Sequence, residues 1–365
     1  MDKHKLPLYL KIKEEMIKEI KQMSVGSRIP SRTKLVKKYN VSRTTIDRVI
    51  SELIGEGYLN AVDGSGTYVA ETFRTADTAK ESKIDSWALV IPNIMDDTYP
   101  GILRGVEDVA HNHNINLVIC NTDNFTHKQS AYIDKLINSG IRGIIIVPAI
   151  IGNHSSDPFN KLIKNGIPIV FCNRGVEGVN AHRVISNNYY GGYIATKHLI
   201  RQGFNRIAYI SKPLYSTSSE RYQGYCSALL ENSLEINDEC VVFEENFKTD
   251  HPGYESALKL FSSSAPPDAV FCFNDDIARG VYHAVKELGF VIGKDVGIVG
   301  YDNTFICEEL EPKLTSIKFN SYEIGKIAAS VLLSLITKTN IPQNKTILLQ
   351  PELVLRNSCG ESQKS

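Results

Sequence analysis

The sequence lacks any run of eighteen apolar residues, so no membrane-spanning helix is expected. It also lacks an apolar block behind its N-terminus. The opening "MDKHKLPLYLKIKEEM" is interrupted by charge throughout, which predicts no secretory leader and a cytoplasmic location. Its seven cysteines, an odd number, contain no C-x-x-C pair. Cys120, Cys172 and Cys272 sit in or beside strand-like apolar runs, so reduced core thiols are expected rather than disulfides or metal ligands. The nine histidines are dispersed, and "HNH" at 111–113 reads as the end of a surface helix. With no metal-ligand cluster and no nucleophile elbow, neither a catalytic site, nor a metal, nor a cofactor is expected. The "GSG" near residue 65 lacks the third glycine of a dinucleotide loop, and the residues after it alternate like a strand.

Net charge is also missing, but the zero hides an asymmetry. Residues 1–75 hold 14 Lys and Arg against 9 Asp and Glu, and the remainder holds 27 against 32. A small basic module on a larger acidic body suits a nucleic-acid reader attached to a second function. At 365 residues, with 42 % hydrophobic and 22 % charged residues, the chain is long enough for two or three soluble domains.

The apolar period changes along the chain. Leu8, Ile12, Met16, Ile17 and Ile20 share one helix face. Pro30-Ser31 starts a second helix carrying Leu35, Val36 and Tyr39. Ser42 is placed to cap a third, with Ile46, Val49, Ile50 and Leu53 on one side and Gly55 and Gly57 at its end. "YLNAV" and "TYVAE" then alternate around Asp63-Gly64-Ser65-Gly66, a hairpin signature. Residues 71–85 lose the pattern and read as a linker. From Trp87 onward, short apolar runs such as "WALVI", "GIIIV", "IPIVF", "AVFCF" and "VGIVG" alternate with helix-length segments. That alternation predicts parallel sheets wrapped by helices, and its length predicts two α/β lobes.

Three helices and a hairpin in about seventy residues describe a winged helix-turn-helix, whose third helix enters the DNA major groove N-terminus first. The leading residues there are Ser42, Arg43, Thr44 and Thr45. Arginine can bond guanine through two parallel contacts, and threonine can contact phosphate or a thymine methyl. The rival reading is a buried helix followed by an ordinary hairpin. The stretch "PSRTKLVKKYNVSRTTIDRVISELIGEGYLNAVDGSGTYVA" resembles the DNA-binding domain of the GntR family of bacterial transcription regulators. The resemblance implies DNA contacts from Arg43, Thr45 and the wing around Gly66, and Arg32 and Arg48 complete the candidate set. Two departures stand out. Asp47 lies where that family often has Arg, and Arg32-Thr33 lies where its commonest pair is Glu-Arg.

In parallel α/β lobes, ligands collect beyond the carboxyl ends of strands. Asn173 and Arg174 follow "IPIVFC", Asn274 and Asp275 follow "AVFCF", and Asp302 follows "VGIVGY". Arg221 heads a helical segment, and Tyr99 lies after "WALVIPN". Carboxylates, guanidinium groups, amides and an aromatic face are the chemistry of a sugar site, although each residue singly also fits a helix cap or surface position. Residues 86–357 resemble the LacI-type effector domain, itself similar to periplasmic sugar-binding proteins, through "YPGILRGVED", "IPIVFCNR", "ERYQGYCSALLE", "AVFCFNDDIARGVYHAVKELG" and "VGIVGYDN". The resemblance implies ligand contacts from Tyr99, Arg174, Arg221, Asn274, Asp275 and Asp302, with Asn173 where that family commonly has Asp.

The expected fold is therefore α/β: a winged helix-turn-helix at 1–70, a linker at 71–85, and a two-lobed domain with parallel sheets at 86–358. Lobe 1 is expected over about 86–190 and 316–340, and lobe 2 over about 191–315 and 341–358. The expected function is a DNA-binding transcription repressor, homodimeric, that binds double-stranded operator DNA and is released by a monosaccharide, with arabinose first. A sugar carrier and a sugar-processing enzyme remain as rival classes. Failure to bind any duplex would favour the carrier, and turnover of a bound sugar would favour the enzyme.

Overall fold

The computed structural model describes residues 8–62, 64–70, 85–213, 215–247, 249–343 and 345–360. Most of the expected linker, 71–84, lies outside the described residues. The chain divides into two compact units, residues 1–84 and 85–365.

In the first unit, helices α1 (Leu8–Ile20), α2 (Arg32–Tyr39) and α3 (Arg43–Gly55) precede an antiparallel hairpin of β1 (Leu59–Val62) and β2 (Gly66–Val69). The expected helix faces supply the core: Ile12, Met16 and Ile20 of α1 pack with Leu35 of α2 and with Ile46, Val49, Ile50 and Leu53 of α3. Leu8 departs from expectation and is exposed, one turn beyond the reach of that core. Asn40 ends α2 in the left-handed conformation at φ 50°, where a short polar side chain is tolerated. The order of three helices and a hairpin is that of a winged helix-turn-helix.

The second unit alternates strands and helices: β3 (Ser86–Ile91), α4 (Tyr99–Asn112), β4 (Asn116–Asn121), α5 (Thr126–Ile137), β5 (Gly143–Ile146), α6 (Asp157–Lys164), β6 (Ile169–Cys172), β7 (His182–Ser186) and α7 (Asn188–Arg201). It continues through β8 (Ile207–Ser211), α8 (Ser216–Glu231), β9 (Val241–Phe243), α9 (Tyr254–Phe261), β10 (Ala269–Cys272), α10 (Asp275–Glu287), β11 (Gly297–Asp302), α11 (Ile306–Glu309) and β12 (Thr315–Lys318). It closes with α12 (Ser321–Thr337), β13 (Thr346–Leu349) and β14 (Glu352–Val354). Two six-stranded sheets result, in the orders β13-β7-β6-β5-β3-β4 and β14-β12-β11-β10-β8-β9. Every named pairing in them is parallel except β12 with β14. Cys120, Cys172 and Cys272 are buried free thiols in these strands, and the "HNH" residues finish α4 at its exposed end.

Two of the three exchanges of chain between the lobes fall later along the sequence than expected. The sequence places residues from 316 onward in lobe 1, yet β12 pairs with β11 in the second sheet. It places residues 341–358 in lobe 2, yet β13 pairs with β7 in the first. The chain therefore crosses between lobes after β7, after β12 and between β13 and β14. Apolar patterning marks a strand but not the sheet it joins, because that choice is made by pairing with residues far away along the chain.

Close helix contact shapes the second lobe. A methyl group at Gly192 of α7 would overlap the carbonyl oxygen of Arg221 on α8, and one at Gly224 would overlap the carbonyl oxygen of Tyr189. The two backbones touch, and that contact fixes the height of Arg221.

Candidate functional site

In the first unit, the outward face of α3 carries the residues expected to meet DNA. Ser42 has extended dihedrals (φ −66°, ψ 154°), and its Oγ accepts from the Thr45 backbone N–H at 3.3 Å. The same oxygen lies 2.8 Å from both the Thr44 and Thr45 hydroxyls. Ser42 is thus a true cap and also part of a hydroxyl cluster at the helix N-terminus, where backbone N–H groups favour anions. Because Ile46, Val49 and Ile50 face the core, Arg43, Thr44 and Arg48 are left exposed, Arg43 most of all with 79 % of its side chain accessible.

The remaining candidates are held by partners. Arg48 stacks over the Tyr9 ring at 3.9 Å and pairs with Glu52 at 3.3 Å. Arg32 donates to Asp47 Oδ1 at 2.6 Å, so the two departures from the GntR pattern are the two ends of one ion pair. Gly66 opens β2 at φ 139°, and a Cβ there would collide with the Arg28 guanidinium. Arg28 joins the wing by bridging to Tyr68. Sequence patterning gives no sign of it, because only pairing across about forty residues brings it there.

In the second unit, the carboxyl ends of both sheets line a cavity of about 450 Å³. Six of the seven expected residues face it: Tyr99, Asn173, Arg174, Arg221, Asn274 and Asp302. Tyr99 opens α4 and is buried, which raises its pKa. Asn173 takes a left-handed φ of 63° just past β6 and turns the chain toward Arg174. Arg174 donates to the Tyr99 hydroxyl and the Pro148 carbonyl, both at 3.0 Å, and to Asn124 Oδ1 at 3.2 Å. Asn274 caps α10 by accepting from the Ile277 N–H at 3.0 Å, which leaves its amide N–H groups for a ligand.

Arg221 lies between the rings of Tyr301 (3.4 Å) and Phe273 (4.3 Å). It donates to Asn188 Oδ1 at 3.1 Å and to the Phe273 carbonyl, and reaches Asp302 Oδ1 at 3.6 Å. Burial pushes the Asp302 carboxyl up to about 7; Arg221 opposes that rise, while Asp275 and Asp96 add to it.

Asp275 is a correction: its side chain does not line the cavity. The buried carboxylate accepts from Ser316 Oγ at 2.6 Å, from the Thr304 N–H at 2.7 Å and from the Thr304 hydroxyl at 3.0 Å. It ties the turn after β11 to β12, and so supports Asp302 from behind. Burial raises its pKa against those hydrogen bonds. The neighbouring Asp276 lines the cavity in its place, rotated about 100° around the helix.

Sequence reading missed Asp96, Asn124, Lys212, Tyr215, Phe247 and Phe273, which also line the cavity. Lys212 directly follows β8 and Phe273 directly follows β10, so both share the strand-end signal; the others come from loops without a period. The cavity's charged groups are Arg174, Arg221 and Lys212 against Asp96, Asp123, Asp276 and Asp302. Among the described residues, no group of three His, Cys, Asp or Glu side chains is placed to hold a metal ion, and no helix is long and apolar enough to cross a membrane.

Comparison with known proteins agrees with both halves. Residues 8–69 match the gntR family of bacterial regulatory proteins, and residues 196–359 match the periplasmic binding protein-like domain. The chain is 26 % identical over 342 residues to an arabinose metabolism transcriptional repressor of Halalkalibacterium halodurans, covering 92 % of this chain and 91 % of that one. It is 32 % identical over 324 residues to the HTH-type transcriptional repressor PurR of Actinobacillus pleuropneumoniae, covering 87 % and 95 %. A LacI family transcriptional regulator from Enterococcus faecium, solved with bound ribose, superposes with a TM-score of 0.65 at 27 % identity, covering 76 % of this chain and 99 % of that one.

Proposed function

Because the chain belongs to the bacterial transcriptional repressors of the LacI/GntR type, a gntR-type DNA-binding head joined to a LacI-type domain, we propose that it is a cytoplasmic repressor released from its operator by an uncharged monosaccharide. The observation that carries this reading is the Arg221–Asp302 pair, a fixed donor fork beside an acceptor, flanked by Phe273 in a cavity of about 450 Å³. Sugar hydroxyls both donate and accept, and a ring's C–H face rests well on an aromatic ring. Arabinose is the first choice, supported by the similarity to arabinose metabolism repressors.

On this reading residues 1–70 bind DNA, 71–85 connect, and 86–358 bind effector and pair with a second copy. The exposed Val118 and Ile119 on edge strand β4 support such pairing, since an open apolar edge invites a partner. No turnover of the sugar is part of the reading, and the relatives it rests on are regulators rather than enzymes.

Calorimetry of the full chain against arabinose, ribose and xylose, and against their phosphate esters, tests the proposal. Saturable binding of a free sugar is expected. Binding of esters alone, or of no sugar, would overturn it.

A further inference from the structure

We infer that Asp47 is a specificity-determining residue of the DNA-binding head, one that selects a base carrying an amino group, cytosine, beside the contacts made by Arg32 and Arg43. The inference rests on α3 being the helix that enters the groove, and the test below separates the two claims.

Asp47 lies one helical turn beyond Arg43 on the same flank of α3, at the border of the face that buries Ile46, Val49 and Ile50. Its two oxygens are divided between two cations. Oδ1 accepts from Arg32 Nε at 2.6 Å, and Oδ2 lies 3.8 Å from Arg43 Nε. The cluster sits in the open, with about two-fifths of the Arg32 and Asp47 side chains and four-fifths of Arg43 accessible. None of the three side chains belongs to the apolar core of this unit.

Each carboxylate oxygen keeps a lone pair beyond the contact it already makes, and an ionised carboxylate can only accept. In the major groove it therefore suits an exocyclic amino group, with cytosine N4 the usual partner, and is repelled by guanine O6 and N7 and by phosphate. The arginines have the opposite preference and suit guanine. A carboxylate bonded to the Arg32 guanidinium and close to that of Arg43 thus orients the first and attracts the second, and adds a position where only an amino-bearing base is accepted. It also lowers the positive potential of the reading face, which weakens attachment to DNA of arbitrary sequence. The pair joins α2 to α3 across fifteen residues, so part of the base selection is set from the preceding helix.

The test uses the full chain and a randomised duplex library, with the sites selected by the unaltered protein compared with those selected by variants. Asp47→Asn keeps the shape but adds donors, and an asparagine amide suits adenine through paired contacts. The expected result is that one position in each half-site changes from cytosine to adenine, by on the order of tenfold in relative affinity. Binding to a scrambled duplex should rise at the same time. A second variant exchanges the pair, Arg32→Asp with Asp47→Arg. It should melt where the unaltered protein melts yet select a different site. Two results would overturn the inference: Asp47→Asn losing affinity evenly at every base position, or the exchanged pair restoring the original site, since either makes the pair a fold-stabilising contact only. Thr44→Ala serves as the control. If it alters the selected site while Asp47→Asn does not, the inference fails alone. If neither alters the site, the placement of α3 in the groove fails with it.

Discussion

Arg221 Nη2 stands 3.6 Å from Asp302 Oδ1, with the guanidinium held between the Tyr301 and Phe273 rings so that it cannot turn away. A preset donor and acceptor on one lobe leave a sugar little to organise on arrival, which removes one of the costs of binding a small polar ligand. Asp302→Ala should therefore weaken sugar binding by about 2–5 kcal/mol, because it leaves Arg221 buried with a hydroxyl it can no longer share. Operator binding should be spared. Calorimetry and a duplex titration on the same variant check both, and sugar affinity unchanged from the unaltered protein would move the site elsewhere.

The same carboxyl predicts a pH dependence. Burial lifts Asp302 to about 7, above the ordinary range, so the free protein holds a proton there at pH 6. A sugar hydroxyl donates more strongly to the ionised form, both of whose oxygens accept. Sugar affinity should rise by roughly tenfold between pH 6 and pH 8 and then level off. The raised pKa carries the matching sign for stability: Asp302 stabilises the fold most below the ordinary carboxyl pKa, and that contribution is lost as pH rises through about 7. Asp302→Asn should flatten the binding profile; an unchanged slope in that variant would assign the titration to another group.

Gly192→Ala tests how the backbone positions Arg221. The added methyl meets the Arg221 carbonyl, so α7 and α8 must separate. The variant should lose about 1–3 kcal/mol of stability and also bind sugar more weakly than its melting loss accounts for. Thermal melting alongside calorimetry below the transition separates the two effects. A variant that melts early but binds normally would show that Arg221 tolerates the shift.

Asp275 should behave differently from Asp302. Asp275→Ala leaves the Ser316 hydroxyl and the Thr304 N–H without their acceptor in a buried place, so the larger effect should fall on melting temperature. A direct ligand contact would instead cost sugar affinity with little change in melting.

On the head, Arg43→Ala should weaken cognate binding by about 1–3 kcal/mol if Arg43 reads a base, and a two-fold symmetric site should be needed if the protein is a dimer. Titration against cognate and scrambled duplexes checks this. Equal losses on both would make Arg43 a phosphate contact.

Much of the fold and the site is legible in the sequence because it is local. The α3 cap and the Gly66 wing are read from a few adjacent residues, and strand-end positions such as Asn173, Arg174 and Asp302 follow from strand–helix order alone. The illegible parts depend on partners far away in sequence. The Arg32–Asp47 pair is visible there only as two separate oddities. Asp275 and Asp276 differ by one step of helix rotation, and the sequence does not say which one faces the cavity. The membership of β12 and β13 in opposite sheets is decided by long-range pairing.

Sugar and operator should compete through one protein, and a closed binding cycle measures that competition. Operator affinity is measured with and without saturating arabinose, and arabinose affinity with and without saturating operator. Bound sugar should lower operator affinity about 5- to 150-fold, and bound operator should lower sugar affinity by the same factor, because linkage makes the coupling reciprocal. Sugar that saturates the protein yet leaves operator affinity unchanged, or raises it, would rule out release of the operator by sugar.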